Sequence, residues 1–230
     1  MKTAEEGGMS VAVVDPCALG RFGLERALCS LSGVADVRAV ADLAALLLAT
    51  GGADVSPGAP DVLVIRLPPD ARAALVLLLR LCGHPVCLMP VRRLLILSPF
   101  VGAGVSTLLA GVGRPVPVCI ASSRLSVCEL TACIRGSSPA PEGVVLFASD
   151  FSVRGYLSVS ECQVLRLCLE SVSLPIQAVR RCRSRKTLYA QRSAGLRKLG
   201  VTSLRDLLRM LTGQVPAVAG SRRCVSEGGK

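Results

Sequence analysis

Five times between residues 9 and 135, a short run of strand character is followed by a stretch with helical spacing. The runs are residues 9–15 (MSVAVVD), 37–40, 61–67 (DVLVIRL), 94–98 and 116–121. The helical stretches are 19–31, with Leu19, Phe22, Leu24, Leu28 and Leu31 as its apolar positions, then 41–49, 71–81, 105–112 and 125–134. A chain that alternates in this way has few means of burying its apolar surface. Strands that are apolar on both sides must be covered on both faces, and the intervening helices supply the cover. The expectation is an α/β fold, a doubly wound parallel sheet over residues 9–135. Trp is absent and aromatics are 3% of the chain, so the core must be built from Leu, Val and Ala.

Residues 136–155 (GSSPAPEGVVLFASDFSVRG) mix Pro, Gly and Ser with a short apolar patch and read as a linker. Residues 213–230 have no periodicity and read as a disordered tail. Between them, residues 156–212 form a different, all-helical pattern. Ser158 and Glu161 have the spacing of a capping box at the head of a first helix. Ser173 is placed to cap a second, 174–182, with Pro175 in its first turn. Ser184 is placed to cap a third, 185–199, which Gly200 ends. Residues 203–211 make a fourth.

Charge divides the same way. Residues 1–150 carry 12 Lys/Arg and 12 Asp/Glu, whereas residues 151–212 carry 12 Lys/Arg against Glu161, Glu170 and Asp206, a surplus of nine. A neutral half joined to a basic half suggests a control module and a module for a polyanion. On the third helix, Leu188, Gly195, Leu196 and Leu199 share one face. Lys186, Ala190, Ser193 and Arg197 share the opposite one, with Tyr189 on its flank. Small residues admit a backbone to base edges, and Lys and Arg hold phosphates or guanine.

The motifs LSxxExxVLRL at 157–167 and KTLxxQRxxxLRKLGV at 186–201 closely resemble the DNA-binding domain of LuxR-type regulators. They are most similar to the NarL/FixJ class of response regulators, which includes the RcsB branch. The resemblance implies a helix-turn-helix in which Tyr189, Ala190 and Ser193 face bases while Lys186, Thr187 and nearby basic side chains hold the backbone. The chain departs from that pattern in the second helix. Gln177 and Arg181 stand at usually apolar positions, for which Ile176 and Val179 could substitute by a rotation, and Cys182 replaces the usual turn glycine.

The N-terminal part resembles the receiver domain of the same regulators by its element order. That resemblance implies a site with two acids after the first strand for Mg²⁺, a phosphoacceptor Asp after the third, a hydroxyl after the fourth and a Lys after the fifth. Here Val14-Asp15 leaves one acid, Arg66 occupies the acceptor position, Ser98 fits the hydroxyl and Ala121 occupies the Lys position. A degenerate receiver that takes no phosphate is expected, with an Arg66–Asp15 ion pair in place of metal and phosphate; the alternative is that Arg66 extends into solvent.

The leading expectation is a cytoplasmic, sequence-specific DNA-binding regulator without cofactor, partnered by double-stranded DNA and by a second copy or a related regulator. An adaptor that acts through protein–protein contact alone is the alternative. Residues 94–113 are uncharged over the length of a membrane span, but Ser98-Pro99 and four glycines argue for strand, loop and short helix instead. The start, MKTAEEGG, is polar and acidic, so no secretory leader is expected. The 11 cysteines are scattered, as buried thiols of a reducing compartment would be. Cys82, His84 and Cys87 lack a fourth ligand for a closed metal site. An enzyme is not expected: the chain has one His and no Walker loop.

Overall fold

The computed structural model describes residues 8–50, 60–83, 91–100, 102–110, 117–136, 145–147 and 156–214. The elements run β1 (Met9–Val14), α1 (Ala18–Cys29), β2 (Val34–Val40), α2 (Leu43–Thr50), β3 (Val62–Arg66), α3 (Ala71–Gly83), β4 (Arg93–Ser98), α4 (Gly102–Ala110), β5 (Val118–Ser122), α5 (Val127–Arg135) and β6 (Val145–Phe147). Four helices follow: α6 (Val159–Leu169), α7 (Leu174–Arg180), α8 (Arg185–Lys198) and α9 (Leu204–Leu211).

One sheet holds all six strands, in the order β2-β1-β3-β4-β5-β6. The first five pair in parallel, as the alternation requires. The sixth is a correction to the linker reading. Val145–Phe147, the apolar patch within 136–155, pairs antiparallel with β5, Val118 opposite Phe147. The sheet is therefore mixed, and β6 covers an edge that β5 would otherwise leave unpaired.

Strand side chains alternate between two cores. Val11, Val13, Val62, Val64, Leu95 and Leu97 face α1 and α5 through Leu28, Leu130 and Ile134. Ala12, Val14, Leu63, Ile65, Leu94 and Ile96 face α2, α3 and α4 through Leu46, Leu78 and Leu108. Period-two alternation with both sets apolar is what a sheet buried on both faces demands. The second core does not stop at α3 and α4. It continues through Leu165, Leu169, Leu196, Leu207 and Leu211, so α6, α8 and α9 share it, while α7 packs through Leu174 and Ala178 against Val164 and Leu188 in a core of the helical part alone. The layers are thus α1/α5, sheet, α2/α3/α4, then α6–α9.

Helix α1 corrects the sequence reading. Leu19 and Phe22 were expected on its apolar face but are 84% and 62% exposed. On a helical wheel Leu24, Leu28 and Leu31 fall within about 60° of one another, while Leu19 and Phe22 fall opposite. Only the first set reaches the sheet, and Arg26 covers Phe22 instead, 6.0 Å from the ring centroid. The uncharged stretch 94–113 divides into β4 and α4, and no helix among the described residues is long and apolar enough to cross a membrane. His84, Cys87 and residues 215–230 lie outside the described residues.

Candidate nucleic-acid interface

Helix α6 begins with the expected capping box. Glu161 N donates to Ser158 Oγ at 3.2 Å, and Ser158 N donates to Glu161 Oε2 at 2.7 Å. That same carboxylate accepts Lys198 Nζ at 2.8 Å, which ties the start of α6 to the end of α8. Burial works to raise the Glu161 carboxyl, but the hydrogen bonds from Lys198 and Ser158 outweigh it and hold the group below its ordinary value. Gly195 lets α8 approach α6 closely: a Cβ there would stand 3.0 Å from Leu165 Cδ1.

Helix α7 did not rotate. Gln177 is fully buried, while Ile176 and Val179 are 49% and 80% exposed, contrary to the substitution considered from sequence. The reason is local: Gln177 Nε2 donates to the Val172 carbonyl at 2.8 Å and reaches Cys168 Sγ at 3.4 Å, so it fills the position as a hydrogen-bonded group. Ser173 begins α7 but makes no side-chain capping bond. The α7–α8 turn closes without glycine. Cys182 has φ +49°, and Arg183 N donates back to the Ala178 carbonyl at 3.0 Å, the closure of a left-handed helix end.

Helix α8 starts at Ser184, whose Oγ accepts Thr187 N at 3.0 Å. Leu188, Gly195 and Leu196 are buried. Lys186, Thr187, Tyr189, Ala190, Ser193 and Arg197 are all exposed, so the structure brings the six selected residues together on one helix, clear of its packed side. Arg183 and Arg185 are exposed beside them. A helical wheel of α8 misses Arg183, which precedes the helix; the run Arg180-Arg181-Cys182-Arg183-Ser184-Arg185-Lys186 was the available signal. Arg181 is half-buried, and burial, then the charge of Arg183, bring its guanidinium below the ordinary range.

The second candidate site lies where the sheet order reverses, at the carboxyl ends of β1 and β3, the usual ligand position in such sheets. Arg66 Nη1 lies 3.2 Å from Asp15 Oδ2, and Asp15 is 2% exposed, so the expected pair forms. Asp15 Oδ1 also accepts Cys17 N at 2.8 Å, and the Asp15 carbonyl accepts Arg21 Nη1 at 2.8 Å. Gly20 makes room for the guanidinium: a Cβ there would collide with Arg66 Nη1 and Asp15 Oδ2. Ser98 turns away, its Oγ accepting Phe100 N at 3.0 Å, and Ala121 is buried with no polar group to offer. A cavity of about 410 Å³ remains at this edge, walled by Pro16, Pro68, Pro69 and Pro99 beside Asp15 and Arg66.

No family model matches the chain, and no curated protein matches it. Among solved structures it is similar to the two-component response regulator RcsB in an RcsB–DNA complex, at 21% identity over 89% of this chain and 99% of that one, with a TM-score of 0.49. It is also similar to the RcsB response regulator of Salmonella typhimurium, at 21% identity over 91% and 100% with a TM-score of 0.48. The response regulator ChrA of a heme-sensing two-component system shares 17% identity over 90% and 98%, with a TM-score of 0.32.

Proposed function

We propose that the chain is a sequence-specific DNA-binding transcription regulator of the response-regulator type. In this reading residues 156–212 are a LuxR-type helix-turn-helix domain, with α8 as its recognition helix. Residues 9–135 are a receiver-like module that works without phosphorylation. The observation that carries the reading is the outward face of α8. Lys186, Tyr189, Ala190, Ser193 and Arg197 are exposed, as is Thr187, whose hydroxyl bonds the Ser184 cap, in a segment with a surplus of nine positive charges. Ala190 and Ser193 are short enough for base edges to approach, Tyr189 offers a ring and a hydroxyl, and the cations suit phosphate oxygens or guanine.

Arg66 supports phosphorylation-independent control. It places a fixed internal cation against Asp15 where an active receiver holds metal and phosphoryl group. The protein is then a non-enzymatic regulator without cofactor, whose partners are double-stranded DNA and a second copy or a related regulator with an intact receiver.

Because α6, α8 and α9 share a core with α3 and α4, the full chain is the material to test. Its log affinity for a pool of random duplex DNA should fall with log salt at about −0.9 per phosphate neutralised, and selection from the pool should enrich a common sequence. A flat salt response, or binding that enriches no sequence, contradicts the reading.

A further inference from the structure

Four prolines, Pro16, Pro68, Pro69 and Pro99, wall the cavity at the carboxyl ends of β1 and β3. Its volume of about 410 Å³ falls among those of small-molecule sites, about 300–1,000 Å³. Proline has no backbone N–H, so none of the four can donate an amide to an anion. The other amides around the cavity are already bonded. Asp15 N donates to the Val40 carbonyl at 3.1 Å, Leu67 N to the Leu97 carbonyl at 2.9 Å and Ser123 N to the Ser98 carbonyl at 2.9 Å. Cys17 N donates to Asp15 Oδ1 at 2.8 Å. A phosphate cradle, which is made of free amides, is therefore missing. The walls instead present proline rings, and the remaining donors are side chains, chiefly Arg66 and the Ser123 hydroxyl.

The two charged groups in the lining face the cavity unequally. Asp15 is 2% exposed, and both of its carboxylate oxygens are occupied, Oδ2 by Arg66 Nη1 at 3.2 Å and Oδ1 by Cys17 N. Arg66 is 36% exposed, and Asp15 is its single partner among the described residues. A guanidinium carries five N–H donors in a planar fork, so most of those on Arg66 remain for a ligand. Arg21 Nη1 bonds the Asp15 carbonyl at 2.8 Å. It brings a second guanidinium to one carboxylate and leaves the site positive.

We propose that this cavity binds a small organic carboxylate with an apolar, ring-containing body. The carboxylate takes the free donors of Arg66, whose fork matches its two oxygens, and the body lies against the proline rings. The Arg66–Asp15 pair then holds the cation in place for the ligand. The site does not depend on whether α8 reads DNA.

Cys17 provides the test. It is exposed and lines the cavity, and it is the sole cysteine of tryptic peptide 3–21. Cys29, exposed at the far end of α1, is the sole cysteine of peptide 27–38 and serves as the control. The full chain is alkylated with iodoacetamide, a neutral reagent, in the presence of naphthoate, neutral naphthamide or inorganic phosphate, each up to about 10 mM. Naphthoate should slow alkylation of Cys17 at least about fivefold, saturably, and leave Cys29 unchanged. Naphthamide and phosphate should slow neither. In Arg66→Gln, checked for wild-type circular dichroism, naphthoate should no longer protect Cys17. The ligand comparison on the wild-type chain decides even if that variant does not fold. No protection by naphthoate, equal protection by naphthamide or by phosphate, slowing of Cys29 as well, or protection that persists in folded Arg66→Gln would each overturn the proposal.

Discussion

Gly104 of α4 lies directly against Leu211 of α9: a Cβ at position 104 would stand 2.8 Å from the Leu211 Cα and would collide with the Met210 carbonyl oxygen. The contact is backbone to backbone, so no side-chain rotation relieves an added group. Gly104→Val should therefore push α9 off α4 while leaving the sheet intact. Hydrogen exchange of the α9 amides should accelerate at least about tenfold, a loss of roughly 1.4 kcal/mol in local stability. Unchanged exchange would show that the two helices are not docked in solution.

The Arg66–Asp15 pair leads to a stability prediction that the structure makes smaller than the sequence alone suggests. Removing one partner of a fully buried pair costs about 3–5 kcal/mol. Arg66, however, is 36% exposed, and Asp15 keeps its bond from Cys17 N. Arg66→Ala should therefore cost about 1–2 kcal/mol. Gly20→Ala should cost at least a similar amount by displacing the guanidinium and crowding the Asp15 carboxylate, and should lose less in an Arg66→Ala background, where only the Asp15 contact remains. Thermal melting of the two single variants and the double variant checks this; additive losses would rule out a common cause. Acetyl phosphate with Mg²⁺ should leave the intact mass of the wild type unchanged.

Ser193 and Arg209 separate recognition from general charge. Ser193 is exposed on α8, where Ser193→Glu puts a carboxylate among the cations without touching the core. Arg209 lies on α9, 4.0 Å from Asp206. Ser193→Glu should abolish selective binding of the enriched sequence, whereas Arg209→Ala should weaken it less than about threefold. Equal small effects in a fluorescence-anisotropy titration would mean that another surface reads the bases.

Glu161 links a capping box to Lys198, and its carboxyl is held below the ordinary value. A depressed folded value contributes stability above the unfolded carboxyl value of about 4.3, and that contribution is lost as pH falls through the still lower folded value. Glu161→Gln should destabilise the protein by about 1–3 kcal/mol at neutral pH. The gap from wild type should close progressively below about pH 4. A gap that stays constant with pH would show that packing, rather than charge, sets it.

Much of the molecule was legible in order along the chain. Apolar runs in β1, β3, β4 and β5 identified a sheet covered on both faces, because a strand with no polar side has no solvent face to occupy. The caps Ser158 and Ser184 located helix starts, because a hydroxyl meets the free amides of a first turn within three residues; Ser173 marked the start of α7 without making that bond. Five of the exposed residues on α8, Lys186, Tyr189, Ala190, Ser193 and Arg197, followed from rotation about one axis, and Thr187 from the resemblance alone. All of these depend on neighbours in sequence. Tertiary structure decided the rest. Val145–Phe147 is a strand only because β5 offers an edge to pair with. Ile176 and Val179 stay outside because Gln177 finds the Val172 carbonyl, and Gly20 and Gly104 matter only for what lies against them. The continuous core from the sheet through α3 to α6 and α9 arises from packing between residues distant along the chain. No local period records such a contact, since apolar side chains attract without direction and the partner they find depends on the shape of the whole fold.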